Sequence, residues 1–234
     1  SDVRFNAELD IPFISDNQYK ELVKQFGELG VKTFFICSNG EPLLNPKRFL
    51  DIVEGANELG VNVITYTNGT TLNLKNLEEL RKRGVNLIMK LESLDPVKND
   101  KIILNEGPLK KRSFSGYDYV SYEGRKIPRH ILEAYEVYGS DRDMLGIETM
   151  ITRQNLDEIV DLRKFVFEKF SSAQFLKHLY PLGYVNLMGQ DVLPVKSEEE
   201  KISKEIISLD ESFGFKYPLF YTTDHFSYDA RRLM

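Results

Sequence analysis

Charged and polar residues recur in this sequence just beyond short β-branched and apolar runs, and that placement is the first sign of chemistry. Cys37-Ser38-Asn39-Gly40-Glu41-Pro42 follows the run 31–36, Thr67-Asn68-Gly69-Thr70 follows 61–66, and Lys90-Leu91-Glu92-Ser93-Leu94-Asp95-Pro96 closes a third run that starts at 85. A fourth run, 145–151, carries Glu148, and a fifth, 173–179, leads into Tyr180-Pro181-Leu182-Gly183. Taken singly these pieces are turn chemistry: Asn-Gly supplies positive φ, proline a rigid exit, and a lone strand-end glutamate can pair with a lysine. Taken together they bring Glu41, Lys90, Glu92 and Glu148 to, or near, the same ends of successive strands. Alternation splits the third segment into Lys90, Glu92 and Leu94 on one face and Leu91, Ser93 and Asp95 on the other. Burying so many charges without partners would be costly. A polar ligand, above all a zwitterion with an ammonium and a carboxylate, would match them.

The elements that must position these residues are legible as a repeated unit. A stretch of helical period ends in glycine, an apolar run follows, and then comes a loop rich in Asn, Gly and Pro. The echo is plain in Leu29-Gly30-Val31, Leu59-Gly60-Val61 and Arg83-Gly84-Val85. Ser15 with Gln18 predicts a capping box for a helix to about 29, Asn45-Pro46 opens a second helix, and Asn73 or Asn76 a third. Helices are also expected from Pro128 to Tyr138, from an Asn155 cap with Glu158 three residues on, and over 197–213. The near-continuous apolar strands predict an α/β fold with a parallel sheet buried on both faces. Five strands are read this way, with a weak sixth near 3–9. In such a fold the ligand lies beyond the carboxyl ends of the strands. The interval 95–127 breaks the pattern. Its segment 109–126, with Lys110, Lys111, Arg112, Tyr117, Tyr119, Tyr122 and Arg125, reads as a solvated loop or as a flap over an anionic or peptide-like substrate.

Composition narrows the classes. The chain has 234 residues and a net charge of −5 with both signs interspersed, so no basic field marks a nucleic-acid binder. Its apolar runs are strand-length, far below the ~20 residues of a membrane span. The single cysteine, Cys37, cannot form an internal disulfide, which favours a reducing, cytoplasmic setting.

At the strand-end residues the chain resembles the radical S-adenosylmethionine (radical SAM) superfamily. Asn39-Gly40-Glu41-Pro42 is similar to the family's Gly-Gly-Glu-Pro motif, with Asn in place of the first glycine, and Leu43-Leu44-Asn45-Pro46 continues the likeness. Thr67-Asn68-Gly69-Thr70, the stretch 90–96, Asn155-Leu156-Asp157-Glu158-Ile159 and Pro181-Leu182-Gly183 resemble family segments in the same order, over roughly residues 15 to 185. The resemblance implies a partial parallel (β/α) barrel of about five to six strands. It implies a core over residues 1–195, lacking the first strand and cluster loop, and a C-terminal helix and tail over 196–234. S-adenosylmethionine would be the cofactor. Asn39, Gly40, Glu41 and Pro42 would meet its methionyl ammonium. Thr67, Asn68, Lys90, Glu92, Ser93 and Glu148 are the further candidate contacts, with Lys90 or Ser93 at the carboxylate or ribose. Leu182 and Gly183 would lie near adenine.

The departure from the family is the cluster. Members hold a [4Fe-4S] cluster by Cys-x3-Cys-x2-Cys, and here one thiolate cannot replace three. No metal ligand and no catalytic residue is therefore assigned within the chain, and the triplet is expected upstream of Ser1 in a longer protein. The resemblance then implies an oxidoreductase that receives electrons from a reductant and makes a 5′-deoxyadenosyl radical for hydrogen abstraction. If an auxiliary-cluster domain of the SPASM or twitch type follows Met234, a peptide or protein substrate is expected. Two other readings stay open. A glycoside hydrolase would use Glu41 as acid/base and Glu92 or Glu148 as a second carboxylate ~5 Å away, though the sequence has no tryptophan to stack on sugars. A cluster-free barrel would serve as a binding module.

Overall fold

The computed structural model describes residues 15–36, 41–104, 116–139, 144–170, 173–178, 192–214 and 220–221. Asn39, Gly40, Cys37, Leu182 and Gly183 lie outside the described residues, as do the weak strand expected at 3–9 and the tail from 222 onward. The chain divides into two compact units, each assembled from two separate stretches: 1–89 with 130–145, and 90–129 with 146–234.

In the first unit, helix α1 (Asp16–Glu28) leads to strand β1 (Thr33–Ile36), α2 (Pro46–Glu58) to β2 (Asn62–Thr67), and α3 (Leu74–Lys82) to β3 (Val85–Lys90). The strands pair in parallel, β1 with β2 and β2 with β3, as the repeated unit requires. Each start signal works as the sequence predicts. Ser15 and Gln18 form a reciprocal capping box, Asn45 Oδ1 accepts from the Arg48 amide ahead of Pro46, and Asn73 rather than Asn76 caps α3. Gly30, Gly60 and Gly84 take the left-handed conformation that ends each helix. The core gathers Val53, Ala56, Val63, Leu77, Leu87 and Met89 at 1% exposure or less. Helix α5 (Arg129–Tyr138) adds Ile131 and Ala134 to it, and the Tyr138 hydroxyl donates to the Val85 carbonyl at 3.0 Å. Strand β1 departs from the expectation of burial on both faces. Phe35 is 49% exposed and meets Tyr66 edge-on, and among the described residues β1 has a ladder on one side only.

The second unit contains the interval that the sequence leaves irregular; its described residues, 95–104 and 116–127, form a helix and a hairpin, and Lys110, Lys111 and Arg112 lie outside the described residues. Helix α4 (Pro96–Leu104) starts with the Asp95 carboxylate accepting from the Lys98 amide. Strands β4 (Tyr119–Tyr122) and β5 (Arg125–Pro128) then form an antiparallel hairpin around Glu123 and Gly124, both at positive φ. Strand β6 (Leu145–Ile151) pairs in parallel with β7 (Ala173–His178), which pairs in parallel with the short β8 (Phe220–Tyr221). Helix α6 (Ile159–Phe165) runs into a π-helical turn at Val166–Phe170, and α7 (Lys196–Ser212) completes the unit. Arg163 and Asp210, both buried, pair bidentately at 2.9 and 3.1 Å between α6 and α7. The hairpin is pinned by Tyr122, stacked on Phe170 at 5.6 Å, and by Glu123 with Lys169 at 3.2 Å. No helix among the described residues is long and apolar enough to cross a membrane.

Candidate functional site

In the first unit the polar residues past β2 form one hydrogen-bonded network on Glu41. Its Oε1 accepts from the Thr67 hydroxyl at 2.8 Å and from the Leu43 amide at 3.2 Å, and its Oε2 accepts from the Asn68 amide at 2.8 Å. The Leu43 contact caps the 3-10 turn at Pro42–Leu44, so the proline expected to make a rigid exit also begins a helical turn. Thr67 is a relay: its hydroxyl gives its proton to Glu41 and accepts from the Gly69 amide at 3.0 Å. Asn68 closes the loop, its Oδ1 accepting from both the amide and the hydroxyl of Thr70. Charge-assisted bonds of this kind hold a carboxylate firmly. A carboxylate has about four lone-pair positions, so the three donors leave Glu41 room for roughly one more. Glu41, Pro42 and Asn68 are partly exposed whereas Thr67 and Gly69 are buried. The arrangement is therefore a braced anion facing outward from the end of β2, suited to a cationic group such as an ammonium.

One close neighbour of this loop is not signalled by any motif. A Cβ built on Gly69 would lie 2.2 Å from Cδ2 and 2.3 Å from Nε2 of His130, so the imidazole sits directly against the glycine. His130 is 8% exposed, and burial pushes its pKa down to about 4, leaving the ring neutral. Only the position of His130 near the start of a predicted helix could be read beforehand.

The second unit holds the other candidates. Lys90 is half-buried, whereas Glu92, Ser93 and Glu148 are at 0, 1 and 5% exposure. Glu92 Oε2 accepts from the Met150 amide at 2.6 Å, and the Glu148 carbonyl accepts from the Leu91 amide at 3.0 Å. The Ser93 hydroxyl donates to Glu158 Oε1 at 2.6 Å and accepts from the Asp95 amide at 2.9 Å, which engages its proton and leaves one lone pair. Lys98 sits 3.4 Å from Glu158 and 2.9 Å from Asp157, and its pKa is raised chiefly by the Asp157 hydrogen bond.

Two asparagines brace this region. Asn155 does not cap a helix as the sequence predicts. Helix α6 begins at Ile159, and the Asn155 side-chain Nδ2 instead donates to the Glu92 and Met150 carbonyls, both at 2.8 Å. Its Oδ1 accepts from the Thr152 amide and hydroxyl. The reason is physical: a fully buried asparagine gains more from hydrogen bonds made away from water than from an exposed cap. Asn99 does the complementary task. Its Oδ1 accepts from the Glu92 amide at 2.8 Å, and its Nδ2 donates to the Tyr119 hydroxyl at 2.8 Å. The Asp95-Pro96 pair was the available signal for the helix that carries Asn99.

The residues fit one implied group and not another. The Glu41 network matches the ammonium of S-adenosylmethionine in charge and remaining acceptor capacity. A [4Fe-4S] cluster needs three thiolates, and the 234 residues contain one cysteine. Among the described residues no group of three or more His, Cys, Asp or Glu side chains could hold a metal ion.

Comparison with known proteins identifies the family and the fold. The model of the family described as the Radical SAM superfamily matches residues 5–166. A tungsten-containing aldehyde ferredoxin oxidoreductase cofactor-modifying protein from Pyrococcus furiosus is 26% identical over 159 residues, covering 68% of this chain and 40% of that protein. Among solved structures, Streptococcus suis SuiB bound to precursor peptide SuiA superposes with a TM-score of 0.63 at 14% identity, over 90% of this chain and 42% of SuiB. The protein anSMEcpe with bound AdoMet and Kp18Cys peptide gives 0.62 at 16% identity, over 86% of this chain and 54% of that one. The fold is thus the α/β partial barrel expected from the sequence. The chain spans about half or less of the length of these relatives.

Proposed function

The chain belongs to the radical SAM superfamily, and from that membership we propose that its first unit holds the methionyl end of S-adenosylmethionine on the Glu41 network. The observation that carries this reading is the triple bracing of Glu41 by Thr67, Asn68 and Leu43. Such bracing fixes a negative charge before any ligand arrives, so little reorganisation is required on binding. Asn39 and Gly40, which precede Glu41 in the sequence, and Pro42, which follows it, are assigned to the same ammonium. Lys90, Glu92, Ser93 and Glu148 are assigned to the carboxylate and ribose, with Ser93 limited to accepting unless it releases Glu158. Leu182 and Gly183 are assigned to adenine. S-adenosylmethionine would supply, given one electron from a reduced iron–sulfur cluster whose three thiolates these 234 residues do not contain, radical chemistry for hydrogen abstraction from a substrate. Family membership removes the reason to read Glu41 as a glycosidase acid.

For the substrate we favour a peptide or protein, because SuiB is solved with a precursor peptide and anSMEcpe with peptides. The name of the Pyrococcus relative supports a second reading, the modification of a cofactor. A lone cysteine is in keeping with a reducing compartment such as the cytoplasm.

Calorimetric titration of S-adenosylmethionine into the purified protein tests the binding reading. Glu41→Gln is expected to weaken affinity about tenfold or more, the worth of one hydrogen bond to a charged group. An absence of binding by the unsubstituted protein rules the reading out. This chain joined to a segment that supplies a Cys-x3-Cys-x2-Cys triplet, and reconstituted anaerobically with iron and sulfide, should release 5′-deoxyadenosine on reduction, and candidate peptides and cofactors can then be compared for turnover.

A further inference from the structure

We propose that His130 is a positioning residue for S-adenosylmethionine binding: its imidazole, wedged against Gly69, fixes the 67–70 turn in the conformation that braces Glu41. This rests on the reading of the Glu41 network given above.

Three observations carry it. First, the contact is tight and directional, since a Cβ on Gly69 would stand 2.2, 2.3 and 2.9 Å from Cδ2, Nε2 and Cγ of the ring. Nothing larger than a hydrogen fits between them, and Gly69 at φ +78 has no room to rotate toward the ring. Secondly, Gly69 is linked to the functional charge by two hydrogen bonds in series. Its amide donates to the Thr67 hydroxyl at 3.0 Å, which donates to Glu41 at 2.8 Å. A shift of Gly69 therefore unseats the Thr67 proton from Glu41 and alters the angle at which the Asn68 amide arrives. Thirdly, the wedge stands on a rigid element. Helix α5 is anchored by Ile131 and Ala134, both at 0% exposure, and by the Tyr138 hydroxyl on the Val85 carbonyl. A buried, uncharged ring also suits its place, because a cationic imidazolium beside this loop would oppose a ligand that carries an ammonium and a sulfonium.

The experiment combines two readouts on the purified protein and its His130→Ala and His130→Phe forms: S-adenosylmethionine affinity by titration, and amide hydrogen exchange at Asn68 and Gly69. If the turn is seated only a tenth of the time without its wedge, His130→Ala weakens apparent affinity about tenfold and speeds exchange at both amides, while the amides of β2 within 62–66 keep their protection. His130→Phe, which keeps a flat ring against Gly69, restores most of both. A folded His130→Ala protein with unchanged affinity and unchanged exchange at Asn68 overturns the proposal. If His130→Ala does not fold, His130→Val, which removes the ring and leaves a side chain too short to fill the space beside Gly69, takes its place with the same two criteria. Failure of the unsubstituted protein to bind S-adenosylmethionine refutes the ligand reading instead, and the exchange pattern alone then decides whether His130 seats the turn.

Discussion

Gly69 shows how a single position can be constrained twice. Its φ of +78 already excludes most side chains, and the imidazole of His130 occupies the space where a Cβ would go. Gly60, at φ +67 with nothing within 4 Å of its would-be Cβ, carries the first constraint without the second. Gly60→Ala should therefore cost about 1 kcal/mol of left-handed strain, and Gly69→Ala about 1–3 kcal/mol more for the overlap, compared by urea unfolding. The same histidine sets a pH dependence. Its folded pKa of about 4 lies below the ordinary 6.5 because burial penalises the charged ring, so the unfolded chain binds the proton first. The stability contributed by the neutral ring is whole above the unfolded value and is lost as pH falls from there toward the folded one, at most about 3 kcal/mol. Urea titrations across that range should show the loss, and His130→Phe should flatten it.

At the scale of elements, the helix–glycine–strand rhythm made the first unit legible. Each signal there is local: a cap, a left-handed glycine and an apolar run lie within a few residues of one another. The same locality explains the failures. Asn155 looks like a cap because Glu158 stands three residues on, yet its partners, the Glu92 and Met150 carbonyls, are set by tertiary structure, Glu92 lying 63 residues away. The hairpin Tyr119–Pro128 turns on Glu123-Gly124 rather than on Asn-Gly, so its left-handed pair carries little compositional warning. The functional candidates were half legible for the same reason. Glu41, Thr67 and Asn68 are adjacent to strand ends and were found together, whereas the His130 wedge depends on a long-range contact. Asn155 supplies the element-scale prediction. Asn155→Ala removes two hydrogen bonds, to the Glu92 and Met150 carbonyls, and should lower unfolding free energy by about 2 kcal/mol, read from urea transitions. Asn155→Asp should be worse, since it sets a carboxylate oxygen against those carbonyls.

For the whole molecule, stability is expected to be uneven between the two units. The second unit is held in part by Arg163 and Asp210, at 2 and 1% exposure, with no water to replace a lost partner. Asp210→Ala should cost roughly 3–5 kcal/mol because it strands the guanidinium, whereas Arg163→Met with Asp210→Leu together should come close to neutral. Denaturant unfolding of the three proteins checks both expectations. A longer-range consequence follows from the way each unit is drawn from two stretches of chain. During synthesis, residues 1–89 emerge first, but Ile131, Ala134 and Tyr138, which complete their packing, emerge only after the whole of 90–129. Up to that moment the part of the leading β/α repeats that Ile131, Ala134 and Tyr138 pack against stays uncovered by them. The interval in which a nascent polypeptide is open to chaperone capture or to aggregation is therefore set by the arrival of α5.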